Sequence, residues 1–316
     1  MEQPFRVGIS SCLLGNAVRY DGGHKLDRFL RDTLGRHVQF VPVCPEVECG
    51  LPVPREAMRL VSENTTPRLR MIHSGADLTE QMRTWADQKN VCLAEQNLCG
   101  FIFKSKSPSC GMQGVKVTSG QGLPKSNGIG LFARIFMERF PLLPVEDDGR
   151  LHDPELRENF IERIFVMRRW QKLAAHTPTL ASLIAFHSRH KYLILAHSPK
   201  HYQIMGKLIA KVAEMDRSEL FAKYSALLMH ALLVRATKAK HFNVLEKSMG
   251  HFKKLISAWE KQELLEIFQR YKDGQLPLIV PVSLLNHYIR KYDEPYLKEQ
   301  YYFHPHPLEL KLRNHV

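Results

Sequence analysis

VPVCPEVECGLP, residues 41–52, decides how the first half of this chain is read. With HVQF before it, the stretch forms a strand over 37–43 that stops at Cys44-Pro45, where proline turns the chain. A thiol therefore stands at the end of a strand, with a carboxylate, Glu46, two positions on. The same arrangement recurs twice. FRVGIS (5–10) reads as a strand running into SSCLLG with Cys12, and GFIFK (100–104) as a strand leading into SKSPSCG with Cys110. Between and after them lie a short helix near 24–35, a proline-rich loop, helical spacing over 76–96, a glycine-rich stretch (111–130), a helical LFARIFMERF, and a fourth strand in LLPVED (142–147). This alternation predicts an α/β N-terminal domain with a mostly parallel sheet covered by helices. Ligands of such sheets sit beyond the carboxyl ends of the strands, so three cysteines far apart in sequence are expected on one rim.

Beyond Asp153 the strand signal fades. Segments starting near 155, 179, 201, 217 and 258 all place apolar residues three or four apart, which predicts an all-α C-terminal domain. Asp153-Pro154, Thr177-Pro178 and Asp216 are read as helix starts. EDDGRLHDP (146–154) marks the boundary, giving domains over 1–150 and 151–316. The chain has 316 residues, 44% hydrophobic and 24% charged, as expected of a soluble globular protein. It holds no apolar run of the ~20 residues a membrane span needs. The start, MEQPFRVGIS, lacks the basic and apolar segments of a signal peptide, so a cytoplasmic location is expected. All six cysteines fall in the first 110 residues, a pattern of ligands, catalysts or core residues rather than a disulfide framework. Cys92 and Cys99 read as core, and Cys49, past the strand end, is set aside.

The net charge of +13 is uneven. Residues 1–150 carry 19 Lys/Arg against 16 Asp/Glu, whereas 151–316 carry 26 against 16 and 13 of the 16 histidines. Between Glu162 and Glu214 there is no acidic residue, while nine Lys/Arg and five histidines occur. A basic helical domain beside a near-neutral one suggests a polyanionic partner, with Arg189, Lys191, Lys200 and Lys207 as candidate phosphate contacts. A solvated basic surface is the plainer alternative.

Three thiolates without an obvious fourth ligand suit an iron–sulfur cluster with one free iron; an open zinc site or a catalytic thiol also fits. Glu46 beside Cys44 reads as an acid–base group. In VRYDGGHK (18–25), Arg19, Tyr20 and Asp21 are candidates for substrate contact, and a simple glycine turn fits as well.

The segments SSCLLG…VRYDGG, VPVCPEVECGLPVPRE and KSKSPSCG resemble the signature of the bacterial thiouracil desulfidase family over about residues 5–150. The second half, with FHSRHKYLILAHSPKHY, resembles the helical domain fused to it in tRNA 4-thiouridine desulfidases. The resemblance implies a 4Fe–4S cluster held by Cys12, Cys44 and Cys110, with the fourth iron left for the substrate's sulfur. It also implies catalytic roles for Glu46 and Ser107. The expected activity is non-redox, hydrolytic conversion of 4-thiouridine in tRNA to uridine with release of hydrosulfide. Free thiouracil or another small thiolated compound is the alternative substrate. An iron–sulfur nucleic-acid-binding sensor is the alternative of another class.

Overall fold

The computed structural model describes residues 4–63, 66–119, 123–175 and 179–315. The chain forms two compact units, Met1–Asp153 and Pro154–Val316.

In the first unit, β1 (Phe5–Ser10), β2 (Val38–Val43), β5 (Phe101–Phe103) and β8 (Val145–Asp147) make a four-stranded sheet in the order β2-β1-β5-β8. Every pairing in it is parallel. The apolar runs VGI and FIF are buried throughout, as strands covered on both faces require. Gly8 has no room for a side chain: a Cβ there would stand 2.2 Å from the Phe101 ring. The helices α2 (Thr79–Glu95) and α3 (Leu131–Arg139) share one core with Val43, Phe101 and Phe103. Phe101, Phe103, Phe132 and Phe136 pack ring on ring there, with centroids 4.4–6.2 Å apart.

A second sheet was not expected. The hairpin of β3 (Met58–Glu63) and β4 (Thr66–Met71) extends through β6 (Val115–Thr118) to β7 (Lys125–Gly128), in the order β4-β3-β6-β7. The stretches read as proline-rich and glycine-rich loops contain these strands. Leu60 and Leu69 face each other across the hairpin and pack against Met82 and Leu131, while Arg59 and Arg70 form another pair in the register. Trp85 and Ile135 touch both cores, so the α2–α3 pair serves both sheets. The helix expected near 24–35 is a short coil of π and 3-10 turns over 29–36.

The second unit is helical. Its main helices are α4 (Pro154–Ala175), α5 (Leu180–His197), α6 (Pro199–Ala210), α7 (Arg217–Leu233), α8 (Lys238–Met249), α9 (Ala258–Lys272) and α10 (Ile279–Lys291). Side-chain caps start them: Thr179 on α5, Ser198 on α6, Asp216 on α7, Thr237 on α8 and Ser257 on α9. Pro154 opens α4 as expected, and the predicted Thr177-Pro178 start lies outside the described residues. No described helix is long and apolar enough to cross a membrane.

Arg313 is 4% exposed and donates to Glu158 at 3.2 Å, to Glu162 at 2.8 Å and to the Tyr302 carbonyl at 2.6 Å. Glu162 also meets His197 at 2.9 Å. Glu158, Glu162 and His306 bring ligand-type atoms within 4.8 Å of one another. Arg313 already supplies that acid pair with its cation, so the group is an ion-paired core.

Candidate metal centre

Parallel pairing puts the ends of β2, β1 and β5 side by side, with Ser10 opposite Val43 and Ile9 opposite Ile102. The next residues along the chain supply the site. Cys12 follows β1 in a single 3-10 turn, and Cys44 follows β2 at the cap of α1 (Pro45–Glu48). Cys110 closes the loop after β5. All three line one cavity of about 360 Å³, together with Glu46, Ser107, Arg19 and Tyr20. Asp21 is not among the lining residues. It is exposed, accepts from the Gly23 N–H at 3.0 Å and pairs with Arg19 at 3.5 Å, so its place is in the turn.

Each ligand segment is fixed by its own backbone. The Cys44 N–H donates to Glu48 at 2.8 Å, and Glu48 is paired with Lys89 at 2.7 Å. The Cys12 carbonyl accepts from Lys25 N–H at 2.9 Å. The Ser107 hydroxyl accepts from the N–H groups of Ser109 at 3.3 Å and Cys110 at 3.1 Å, which closes the third loop. The Pro108 and Ser109 carbonyls accept from Leu131 and Ala133 in the first turn of α3, so backbone replaces a side-chain cap there. This contact needs Gly130, whose added Cβ would lie 2.5 Å from the Ser109 carbonyl oxygen.

Glu46 has three neighbours of consequence. Its carboxylate lies 3.4 Å from the Cys44 sulfur and 3.9 Å from the Arg55 guanidinium, and it accepts a short hydrogen bond from the Ser109 hydroxyl. Ser109 is fully buried and also bonds the Ser107 hydroxyl at 2.9 Å. Arg55 is held by the Val18 and Pro52 carbonyls at 3.0 and 3.3 Å. Sequence reading missed Ser109 and Arg55. Both stand inside the quoted motifs, and the alternation of serines in SKSPSC was the available signal.

The thiols are buried, at 9%, 8% and 4% exposure for Cys12, Cys44 and Cys110. Burial, then the charge of Glu46, pushes Cys12 up to about 11 and Cys44 up to about 12. Cys110 is raised well above the ordinary thiol value by burial and Glu46, with smaller contributions from Cys12 and Cys44. That mutual influence puts the three sulfurs in one electrostatic neighbourhood. Thiols raised in this way stay protonated at neutral pH until a cation displaces their protons.

The donor set selects what it can hold. Among the described residues no histidine lines the cavity, and Cys49, whose thiol donates to the Glu46 carbonyl at 3.2 Å, is not among the lining residues. Zinc with bonds of about 2.3 Å would gather its sulfurs to about 3.8 Å apart. Among the described residues, no three ligand atoms of this site lie within 4.8 Å of one another. Three soft donors spread more widely suit a larger sulfur-containing group.

Residues 7–148 match the family model described as 2-thiouracil desulfurase. Two curated relatives are the uncharacterized proteins YbgA of Escherichia coli K12 and YbbK of Bacillus subtilis 168. YbgA is 30% identical over 153 residues, 48% of this chain and 90% of YbgA. YbbK is 32% identical over 109 residues, 33% of this chain and 71% of YbbK. The first unit of the chain belongs to the thiouracil desulfidase family. Within that family the chain carries an addition, since residues 191–307 match a model described only as a protein of unknown function, DUF1722. A solved structure titled [4Fe-4S]-dependent thiouracil desulfidase TudS is 29% identical, covering 47% of this chain and 94% of that one with a TM-score of 0.39.

The remaining expected residues lie in the helical unit. Lys200 and Lys207 are exposed on α6, seven residues apart and so on one face. Arg189 is exposed but paired with Glu299 at 3.0 Å, and Lys191 lies over the Tyr296 ring at 5.0 Å. Of the histidines counted towards the basic surface, His187, His190, His197 and His241 are buried. Burial drives His187 down to about 4 and His241 to about 3, so they offer phosphates no charge. Arg163 and Arg169 are buried as well. The cationic surface is thus smaller than the residue count suggests. Cys92, expected in the core, is exposed, while Cys99 is fully buried.

Proposed function

We propose that this chain removes sulfur from 4-thiouridine in tRNA by non-redox hydrolysis, using a 4Fe–4S cluster held by Cys12, Cys44 and Cys110. The products are uridine and hydrosulfide. The observation that carries the reading is the meeting of three buried thiols and one carboxylate on a single cavity at the strand ends. A cluster bound through three thiolates supplies a thiophilic Lewis acid at its remaining iron.

The other tasks fall to the protein. Glu46 takes a proton from the water that adds at C4 of the pyrimidine and returns it as sulfur departs, as general acid–base work requires. Ser109 donates to one carboxylate oxygen, which leaves the other, between Cys44 and Arg55, for that exchange. Ser107 shapes the Cys110 loop and reaches Glu46 only through Ser109. Its expected catalytic role is thereby carried through positioning. Arg19 and Tyr20 line the cavity where a base would enter, with the guanidinium 5.5 Å from the Tyr20 ring centre.

A base acted on in such a cavity has to be unstacked from its RNA, while the phosphates and shape of the tRNA are gripped elsewhere. The helical unit, with Lys200 and Lys207 exposed on one helix face, is suited to that grip. The test compares the anaerobically loaded full chain on 4-thiouridine-containing tRNA and on free 4-thiouracil. Sulfide release should be faster from tRNA. Release from the free base alone would remove RNA from the reading, and release from neither would remove the enzyme. Glu46→Gln should keep the bound iron and stop release, whereas a sensor would have no turnover to lose.

A further inference from the structure

We propose that a cavity within the helical unit is a second binding site of this protein, and that it takes a small organic monocarboxylate through Lys238, Tyr271 and His241. It shares no residue with the thiol cavity, and the inference does not depend on the desulfidase reading.

The cavity, of about 270 Å³, is lined from α4, from the start of α8 and from the end of α9. Its acids are already paired. Arg313 holds Glu158 at 3.2 Å and Glu162 at 2.8 Å, His197 meets Glu162 at 2.9 Å, and Arg235 meets Glu155 at 3.4 Å. What remains is a set of donors. Tyr271 is 4% exposed and lines the cavity, yet its hydroxyl has no hydrogen-bond partner among the described residues. An unpaired buried hydroxyl destabilises a fold, so packing alone does not explain tyrosine here in place of phenylalanine. His241, also buried and lining the cavity, meets the Tyr302 hydroxyl through Nδ1 at 3.0 Å. Tyr302 is fully buried and its hydroxyl has no other partner among the described residues, so it donates to Nδ1 and leaves the proton of the neutral ring on Nε2. That N–H has no acceptor among the described residues. The Lys238 ammonium has no acid partner among them either, and a Cβ at Gly274 would stand 2.9 Å from it, so glycine there leaves it room. Thr237 caps only the Lys240 N–H, which leaves the first N–H groups of α8 and their partial positive charge beside the cavity. Donors opposite acids that already have cations suit an acceptor with a single negative charge. A carboxylate offers two acceptor oxygens and one charge, which Lys238 matches. A phosphate dianion would bring surplus charge up to Glu155, Glu158 and Glu162. Ala236 and Leu278 supply an apolar wall for the body of the acid.

The experiment is calorimetry of the full chain near neutral pH with benzoate, benzyl alcohol and phenyl phosphate, repeated with Tyr271→Phe and Lys238→Met. Benzoate should bind about tenfold or more tightly than benzyl alcohol, which lacks the charge, and than phenyl phosphate, which carries too much. Tyr271→Phe should weaken benzoate about five- to tenfold and leave the melting temperature of the ligand-free protein no lower, since the hydroxyl has no partner to lose. Lys238→Met should weaken benzoate about tenfold and leave benzyl alcohol unchanged. No binding of benzoate to the wild type, tighter binding of phenyl phosphate, or undiminished benzoate affinity in either variant would each overturn the assignment. A Tyr271→Phe protein that melts lower and binds benzoate as before would show a structural hydroxyl instead.

Discussion

Replacing Ser109 by alanine tests how Glu46 is held. The hydroxyl is fully buried, donates to the Glu46 carboxylate and bonds the Ser107 hydroxyl at 2.9 Å. A hydrogen bond to a charged acceptor contributes about 1.5–3 kcal/mol and a neutral one about 1, so the variant should lose about 2.5–4 kcal/mol of stability. The catalytic loss follows from orientation. Without Ser109 the carboxylate keeps only the Arg55 contact at 3.9 Å and the Cys44 sulfur at 3.4 Å, and it can rotate away from the cavity. Misplacing an acid–base group in this way should lower kcat by about 10–100-fold, or about 1.4–2.7 kcal/mol in the barrier. Iron content should be unchanged, because Cys110 is fixed through Ser107. Ser107→Ala should do the reverse in kind and weaken retention of iron, since two N–H groups of the ligand loop lose their acceptor. The assay is sulfide release by anaerobically loaded protein, normalised to bound iron. A Ser109→Ala protein with full iron and kcat within about twofold of wild type would refute the role given to Ser109.

Three further outcomes are expected. Arg313→Met leaves two buried carboxylates, Glu158 and Glu162, without their cation, and denaturant unfolding of the full chain should show a loss of about 3–5 kcal/mol in the helical unit. Acid should destabilise the same unit well above the carboxylate range. His187, His241 and His306 are held neutral in the fold, at about 4, about 3 and about 4, so only the unfolded chain takes up protons as pH falls through about 6.5. At pH 5.5 each should contribute a loss of about 1.4 kcal/mol, about 4 together, seen as a lower melting temperature than at pH 7.5. Charge reversal at Lys200 and Lys207 should weaken tRNA binding about tenfold or more and reduce the salt dependence by about two counterions, without changing turnover of free thiouracil.

The parallel sheet was legible because VGI, VPV and FIF are short apolar runs separated by helical spacing, and because each leads into a segment that carries a cysteine. The second sheet was not. MRLVSE and TPRLRM alternate apolar and basic residues, but prolines and polar residues around them read as loop, and KSNG carries no apolar signal at all. Its pairing comes from contact with α2 and α3, which sequence spacing cannot reveal. At the site, Cys12, Cys44, Cys110 and Glu46 drew notice because each stands close to a strand end or in the loop that follows one, whereas Ser107 came only from the family resemblance. Ser109 and Arg55 owe their importance to distance in space: Ser109 meets Glu46 from 63 residues away along the chain. The helical unit misled in the opposite sense. Histidine and arginine counts suggested a broad cationic face, but His187, His190, Arg163 and Arg169 are packed inside it.

The central claim is that thiols from three adjacent strand ends hold one multi-iron group. Iron and acid-labile sulfide should therefore be counted per chain in anaerobically prepared wild type and in Cys12→Ser, Cys44→Ser and Cys110→Ser. The wild type should carry about four of each, and every variant should lose most of both. One zinc per chain in place of iron, or iron retained undiminished in any of the three variants, would contradict the account.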